Sequence, residues 1–424
     1  MDIFQLRGLA EHMFAEVRRL TFDGVGVTRE SYGRGESAAA DFLRELALRE
    51  GLAVETDRAA NLVFGLAGDV PAQPSVWCGS HLDSVPQGGN YDGLAGIVAG
   101  LLCLIARRRA GADTGIAART GPPLKVIGFR GEESAWFGRA YMGSGALFGK
   151  LAPEDLELKQ RNNGALLADC MREAGADVEA IRARQPLLNR QEVLAYLELH
   201  IEQGPVMVAR ELPLGVVSGI RGNVRHNRIT CIGEAGHSGA VPRWLRHDAM
   251  FAVADLIMRL DDHWRALLER GIDLVVTTGV VSTDAAEHSI SRIPGLVNLS
   301  FEARSKSIDT LEGFYELMRT ECKAIGRDRG VRFEFDRRLL SEPATMDARI
   351  CEVLARACGE RGVPFESIPS GAGHDAALFA NAGIPSGMLF IRNRNGSHNP
   401  DEAMEMDDFM QGVRVLSDAV DQLA

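Results

Sequence analysis

His81, Asp83 and Asp92 crowd into one short stretch that follows the apolar run Val76-Trp77-Cys78. A run of that kind reads as a buried strand, and open α/β folds place their chemistry where such strands end. A neutral imidazole beside carboxylates suits Zn2+ or a neighbouring first-row ion, and a second carboxylate can orient the imidazole from behind. His-x-Asp at a strand end is also a common structural pair, so the pattern gains force only from further donors. They appear at two more expected strand ends: Glu132-Glu133 follows Leu124–Phe129, and His200 lies near the end of Val193–Ile201. His398 comes later, within Gly396-Ser397-His398-Asn399-Pro400. A two-metal hydrolase needs four terminal ligands, one bridging carboxylate and a base for the attacking water. His81, Asp92, Glu133, His200 and His398 supply such a set. Neighbouring side chains of an extended segment point to opposite sides, so of Glu132 and Glu133 one faces a given metal and the other is free as general base.

The surrounding pattern alternates strands and helices. Phe4–Leu20 and Tyr32–Glu50 carry helical apolar spacing, with strands at Leu52–Glu55 and Asn61–Leu66. Gly96–Arg109 reads as a buried helix whose Arg107-Arg108-Arg109 run favours its C-terminal dipole. Ala110–Pro123 is expected as a surface loop and residues 134–190 as mostly helical. The texture changes near Leu212. Strands at Gly215–Ile220 and Arg228–Gly233 precede the turn Gly236-His237-Ser238-Gly239. A helix (Asp248–Arg270), strands (Leu274–Val281, Leu296–Ala303) and a helix (Thr310–Ile325) follow. That order predicts a four-stranded antiparallel sheet with two helices, inserted into an α/β domain. The expected organisation is therefore a catalytic domain in two parts, 1–211 and 331–424, around an inserted α+β domain at 212–330.

Composition narrows the partners. The 424 residues carry a net charge of −11, which disfavours a nucleic-acid backbone or an anionic membrane. Seven scattered cysteines without a C-x-x-C pair point to reduced thiols and a cytoplasmic setting. Cys78 reads as a small buried filler. The longest nearly apolar run, Leu94–Ala106, is too short to span a bilayer, and the N-terminus has no apolar signal core.

At these residues the chain resembles the hydantoinase/carbamoylase branch of the M20 metallopeptidase family, over nearly its whole length. Gly79-Ser80-His81-Leu82-Asp83-Ser84 is similar to the family's GSHxD[ST] segment, and Tyr91-Asp92-Gly93 to its bridging-aspartate turn, where family members place a cis peptide. Leu199-His200-Ile201-Glu202-Gln203-Gly204-Pro205 is similar to LHIEQGP, which marks this branch. Gly236-His237-Ser238-Gly239, Gly371-Ala372-Gly373-His374-Asp375-Ala376 and Ser397-His398-Asn399-Pro400-Asp401-Glu402 complete the set.

The resemblance implies a mixed-sheet, di-zinc aminopeptidase-like catalytic domain with an inserted lid and dimerisation domain. It implies two divalent ions per subunit, Zn2+ before Mn2+, Co2+ or Ni2+. One would be held by His81, Asp92 and His200, the other by Asp92, Glu133 and His398. Asp83 would orient His81, Glu132 would serve as base, and His237 would stabilise the oxyanion from the partner subunit of a homodimer. Gln203 and Gly373 would face the substrate. The family's lid carries an N-x-I-P-G segment followed by an Arg that grips the substrate carboxylate. Here Ser291-Arg292-Ile293-Pro294-Gly295 puts Ser291 at the Asn position, while Arg304 falls at the Arg position. A bidentate guanidinium–carboxylate contact survives, and one substrate-binding amide is lost, with His288 or Arg292 as substitutes. His374 and Asp375 read as caps of the next helix. Asn223 and His226 are as consistent with plain surface as with a site.

The expected activity is hydrolysis of a linear C–N bond in a small carboxylated ureido or amide substrate. An N-carbamoyl-L-amino acid would give the amino acid, CO2 and ammonia. Allantoate amidohydrolase, N-acyl-amino-acid deacylase or aryl-amine aminohydrolase chemistry are the enzymatic alternatives. A catalytically silent binding protein on the same scaffold is the alternative outside enzymes.

Overall fold

A computed structural model of the chain describes residues 2–67, 74–114 and 122–423. In chain order its first six strands are β1 (Leu52–Thr56), β2 (Leu62–Leu66), β3 (Ser75–His81), β4 (Leu124–Phe129), β5 (Val193–Ile201) and β6 (Leu214–Ile220). Eight more follow: β7 (Gly222–Ile232), β8 (Gly236–His237), β9 (Val275–Thr277), β10 (Val281–Ser282), β11 (Arg292–Ile293), β12 (Leu296–Ser305), β13 (Arg332–Phe335) and β14 (Leu339–Ser341). The chain then returns to the first sheet with β15 (Ala344–Thr345), β16 (Phe365–Ser370) and β17 (Ser386–Ile391).

The nine-stranded sheet runs β1-β2-β4-β3-β5-β17-β6-β15, with β16 on β6. Its centre, β4-β3-β5-β17, is parallel, and β1, β2 and β6 join antiparallel, so the sheet is mixed. All seven residues of β3 are buried, the mark of a strand covered on both faces. The parallel centre puts the ends of β3, β4, β5 and β17 on one edge. All the metal-ligand candidates lie at or just beyond it.

The helix Leu94–Thr114 starts immediately after Asp92-Gly93 and lies against β3, β4 and β5. Its apolar side chains are buried on nearly every side, each full burial of a Leu or Ile contributing roughly 1.5–3 kcal/mol. The close approach depends on small residues: a Cβ on Gly96 would stand 2.4 Å from the Leu199 carbonyl oxygen. The helix runs past the arginine run, so Arg107 pairs with Asp421 and Arg109 with Glu50 (2.8 Å) and no longer lies at a helix end. The first residues of the expected loop at 110–123 belong to the helix, which extends to Thr114, and residues 115–121 lie outside the described residues.

Residues 134–190, expected as mostly helical, hold only short α-helices (Met142–Leu147, Leu167–Glu173, Val178–Arg182). Glycines at 138, 143, 145, 149 and 164 and Pro153 interrupt the pattern. No cis peptide occurs in the described residues, including the 91–93 turn. All seven cysteines are free thiols, and Cys78 is fully buried. No helix among the described residues is long and apolar enough to cross a membrane.

The chain divides into two compact units, one of residues 1–218 and 345–424, the other of residues 219–344. These limits differ from the expected 212 and 330 for two reasons. Strand β6 pairs with β17 in the large sheet, so Leu214–Ser218 belongs to the first unit. Strands β13 and β14 pair with β7, so the second unit continues past Val331. Its antiparallel sheet has six strands in place of the expected four, and the expected strand Leu274–Val281 splits into β9 and β10 around Gly279. Helices Ala249–Glu269 and Ile308–Arg329 share one apolar core with β7 and β12, through Val253, Leu256, Phe301, Phe314 and Met318. Alternate residues of β12 are buried, as a half-covered sheet requires.

Gly79 in β3 has φ +152°, and a Cβ there would lie 1.9 Å from the Ile127 carbonyl oxygen. Gly79→Ala is expected to lower stability by about 3 kcal/mol or more in denaturant titration. Gly359→Ala, on a helix with open space around the position, should change it by less than about 1 kcal/mol.

Candidate metal centre

His81 closes β3 with its ring buried. Its Nδ1 lies 3.1 Å from the Asp83 carbonyl oxygen and 3.4 Å from Asp83 Oδ1. That places the ring proton on Nδ1 and leaves a lone pair on Nε2. His200 repeats the logic one strand away: Nδ1 lies 2.9 Å from the Ile201 carbonyl oxygen, and Nε2 accepts from the Gly93 amide at 3.3 Å. The two Nε2 atoms stand 3.5 Å apart and face Asp92 Oδ1 at 3.5 and 3.2 Å.

The other oxygen of Asp92 faces a second group. His398 Nε2 lies 3.4 Å from Asp92 Oδ2 and 3.3 Å from Glu133 Oε1. The His81–Asp92–His200 and Asp92–Glu133–His398 donors each lie within 4.8 Å of one another. Asp92 thus offers one oxygen to each trio, the disposition of a bridging carboxylate.

The donor chemistry fits cations. Asp92 Oδ1 is buried without a hydrogen-bond partner, beside two imidazole lone pairs. Such a convergence is repulsive unless positive charge lies among the atoms. The same shortage shows in the titration of the groups. Hydrogen bonds to Asp92 and Glu133 push His398 up to about 11. Burial alone would lower His81, but the carboxylates of Asp83 and Asp92 beside it outweigh burial and raise it well above the usual imidazole range. Neutral imidazole and carboxylate are ligands that Zn2+ and its first-row neighbours accept.

Asp83 fixes two strand ends at once. Its Oδ1 accepts from the Glu132 amide and its Oδ2 from the Glu133 amide, each at 3.0 Å, while Ser31 Oγ donates to Oδ2 at 2.6 Å. One carboxylate therefore holds the imidazole of β3 and the turn after β4 in register. Glu132 is buried, and burial with the nearby Glu133, Asp375 and Asp83 charges raises its carboxyl well above the usual range against the pull of His81. A carboxyl so placed can hold and release a proton near neutrality once cations offset its acidic neighbours.

Gln203 sits in the left-handed region (φ 63°), and its Nε2 donates to Asp92 Oδ2 at 2.9 Å, so it supports the shared carboxylate. Gly373 lies against Tyr141: a Cβ there would fall 1.6 Å from the phenol oxygen. Asp375 occupies the N-cap position of Ala376–Asn381 but makes no cap bond; it accepts from Ser144 Oγ at 2.5 Å instead. His374 packs edge-on to His200 with ring centroids 4.4 Å apart, and burial keeps it well below the usual imidazole range.

The remaining candidates lie in the second unit. His237 in β8 pairs with Arg292 in β11, and the Ser238 amide donates to the Ser291 carbonyl at 2.8 Å, so His237 and Ser291 share one small ribbon. His237 is exposed, and its Nδ1 accepts from the Gly239 amide at 3.2 Å, which leaves the Nε2 proton available as a donor. Arg304, in β12 opposite Asn223, pairs with Glu302 at 3.0 Å. His226 is buried between Asp336 (2.8 Å) and the Tyr315 hydroxyl (3.1 Å), a structural bridge.

Several residues around the metal centre escaped the sequence reading. Arg29, wholly buried, donates to the carbonyls of Leu82 (2.6 Å) and Asp92 (3.1 Å). Glu402 Oε1 accepts from the Tyr91 (2.8 Å) and Asp92 (3.3 Å) amides. Glu198 accepts from Ser80 Oγ at 2.7 Å and from the Ala376 amide at 2.8 Å. Glu198 was detectable as the same-face neighbour of His200, two residues back on β5. Arg29 carried no such signal.

A mixed sheet whose parallel strands end in two donor trios around one shared carboxylate is the architecture of a dinuclear metallohydrolase. The family model described as peptidase family M20/M25/M40 matches residues 77–422. The chain belongs to that family and is an enzyme of its hydrolase class. It is 34% identical over 402 residues to the N-carbamoyl-L-amino acid amidohydrolase of Geobacillus stearothermophilus, covering 94% of each chain. It is 29% identical over 403 residues to the allantoate amidohydrolase of Escherichia coli, covering 94% of this chain and 93% of that one. A crystal structure of a hydantoinase/carbamoylase family amidase from Burkholderia multivorans superposes with a TM-score of 0.86 at 28% identity, over 99% of this chain and 98% of that one.

If Asp92 is shared, Asp92→Asn should strip both ions. Elemental analysis after dialysis against trace metal should fall from about two per chain towards zero, and a variant that retains two would contradict sharing. Asp83→Asn should leave the ligands in place but weaken metal affinity by about 10–100-fold in competition with a chelator.

Proposed function

We propose that the protein hydrolyses a linear carbon–nitrogen bond in a small carboxylated ureido or amide substrate, with N-carbamoyl-L-amino acids as the first candidates. The observation that carries this reading is the pair of donor trios sharing Asp92 beside the buried carboxyl of Glu132. Relatives named for carbamoyl and allantoate hydrolysis support the bond type. Two divalent cations held by His81, Asp92 and His200 and by Asp92, Glu133 and His398 would polarise the scissile carbonyl and lower the pKa of the attacking water. Zn2+ is the first candidate ion, on the neutral imidazole and carboxylate donors.

Glu132 takes the proton of the attacking water and returns it to the departing nitrogen, so it acts first as base and then as acid. Asp83 keeps the proton of His81 on Nδ1 and positions Glu132 through its backbone amide. Arg304 grips the substrate carboxylate as a two-pronged donor, at the expense of its pairing with Glu302. His237, with its proton on Nε2, donates to the developing oxyanion of the partner subunit's site, which makes the working unit a homodimer. With a carbamoyl substrate the carbamate product decomposes to CO2 and ammonia.

A panel of N-carbamoyl, N-formyl and N-acyl amino acids with allantoate tests the substrate class; absence of turnover on every ureido compound rejects the carbamoyl assignment. Glu132→Gln should lower kcat by about 10^2–10^4-fold with metal content near two per chain. His237→Ala and Glu132→Gln chains, each nearly inactive alone, should regain up to about a quarter of wild-type activity when mixed and allowed to exchange subunits, because half the sites in a mixed dimer are whole. No recovery in mixed dimers would rule out action in trans.

A further inference from the structure

Tyr141 stands at the edge of the metal centre with an unused hydroxyl. It follows the Glu132 turn by a direct link, its amide donating to the Glu132 carbonyl at 2.9 Å. Its backbone is in the left-handed region (φ 59°), a conformation an aromatic residue adopts only where the surroundings enforce it. Beside it the chain leaves room for the phenol: Gly373 has no side chain, and a Cβ there would lie 1.6 Å from the phenol oxygen and 2.9 Å from Cζ. The ring is half-buried. Among the described residues its hydroxyl has no hydrogen-bond partner, and it is not among the buried unpaired atoms, so the oxygen reaches solvent space. A strained aromatic fitted into a gap kept open by glycine, with its polar tip uncommitted, is poorly explained as packing alone.

We propose that the Tyr141 hydroxyl donates a hydrogen bond to the scissile carbonyl group of the substrate, adding a donor from the first unit to the oxyanion's surroundings. This rests on the amidohydrolase reading above. The phenol suits a donor. Burial, and the charges of Glu132, Asp375, Glu198 and Glu133, hold it well above the usual tyrosine range, so the proton stays on oxygen throughout the working pH range. Its position beside the Glu132 turn puts it on the side of the site where the proton transfers occur. Because the bond strengthens as charge develops on the carbonyl oxygen, its loss should fall on kcat more than on KM.

The test is Tyr141→Phe in the metal-loaded enzyme, assayed on whichever panel substrate the wild type turns over. Expected is a fall in kcat of about 10–100-fold, little change in KM, an unchanged melting temperature and about two ions per chain. Gly373→Ala should displace the phenol and give a similar loss, and the double variant should be no slower than the slower single one, since both act through one oxygen. In the Glu132→Gln background, where turnover is slowed by about 100-fold or more, Tyr141→Phe should alter calorimetric affinity by less than about threefold. Turnover by the wild type with an unchanged kcat in Tyr141→Phe overturns this inference alone. A wild type inert towards the whole panel overturns it together with the amidohydrolase reading. Equal and additive losses in the two single variants would assign Gly373 a separate role and also count against it.

Discussion

The candidate metal centre depends on one buried carboxylate, Asp92, that belongs to both donor trios. Both oxygens of Asp92 face imidazole, and the turn carrying them is held from every direction. Arg29 binds its carbonyl, Glu402 its amide, and the Leu94 amide closes back onto the same carbonyl at 2.8 Å. Gly93 adds a steric condition: its φ of +69° is open to glycine, and a Cβ there would meet His81 Nδ1 at 2.4 Å. Fixing a carboxylate this firmly away from water costs several kcal/mol, repaid only when positive charge lies beside both oxygens. The helix that starts at Leu94 ties this local demand to the core, since its packing on β3 and β5 sets where the turn begins.

The interior around Asp92 is short of positive charge generally. Burial raises Glu402 to about 7 against its own hydrogen bonds, and burial with neighbouring Glu198 raises Asp375 to about 8. Arg29 is a buried guanidinium among these acids: desolvation lowers it below its ordinary value, and the charges of Glu402, Asp83, Asp92 and Glu133 offset part of that lowering. Cations bound at the two trios would relieve the remainder, so metal binding and the stability of this end of the sheet are linked by mass action.

The donor clusters were legible because a strand end constrains both residue type and position. His81, Glu132-Glu133 and His200 each follow an apolar run, and the parallel sheet brings such ends together whatever their separation in sequence. His398 follows β17 for the same reason. The supports were less legible: Arg29 and Ser31 lie in a loop before the sheet begins, and their roles come from tertiary contacts alone. The boundaries of the second unit were misplaced for a related cause. A short strand such as β6 pairs with either sheet on equal local evidence, and only its partner, β17, decides. The glycine-rich stretch after Glu133 looked helical by composition, but closely spaced glycines let it fold back as short turns around Tyr141.

Metal ligation and substrate recognition make different demands on sequence. A ligand must reach a point fixed by several strands, so a change of type removes the donor and its geometry together. A residue on an exposed ribbon, such as His237 or Ser291, answers within the fold only to its two-stranded partner. Substitution at Ser291 leaves the ribbon intact, because the contact with Ser238 uses the backbone carbonyl. The same reasoning separates Tyr141 from the ligands: its ring is fixed by backbone and by Gly373, while its hydroxyl answers to nothing within the fold. Freedom of that kind beside a rigid set of donors lets a chain alter the contacts around its substrate without disturbing the carboxylates and imidazoles that would hold the metals.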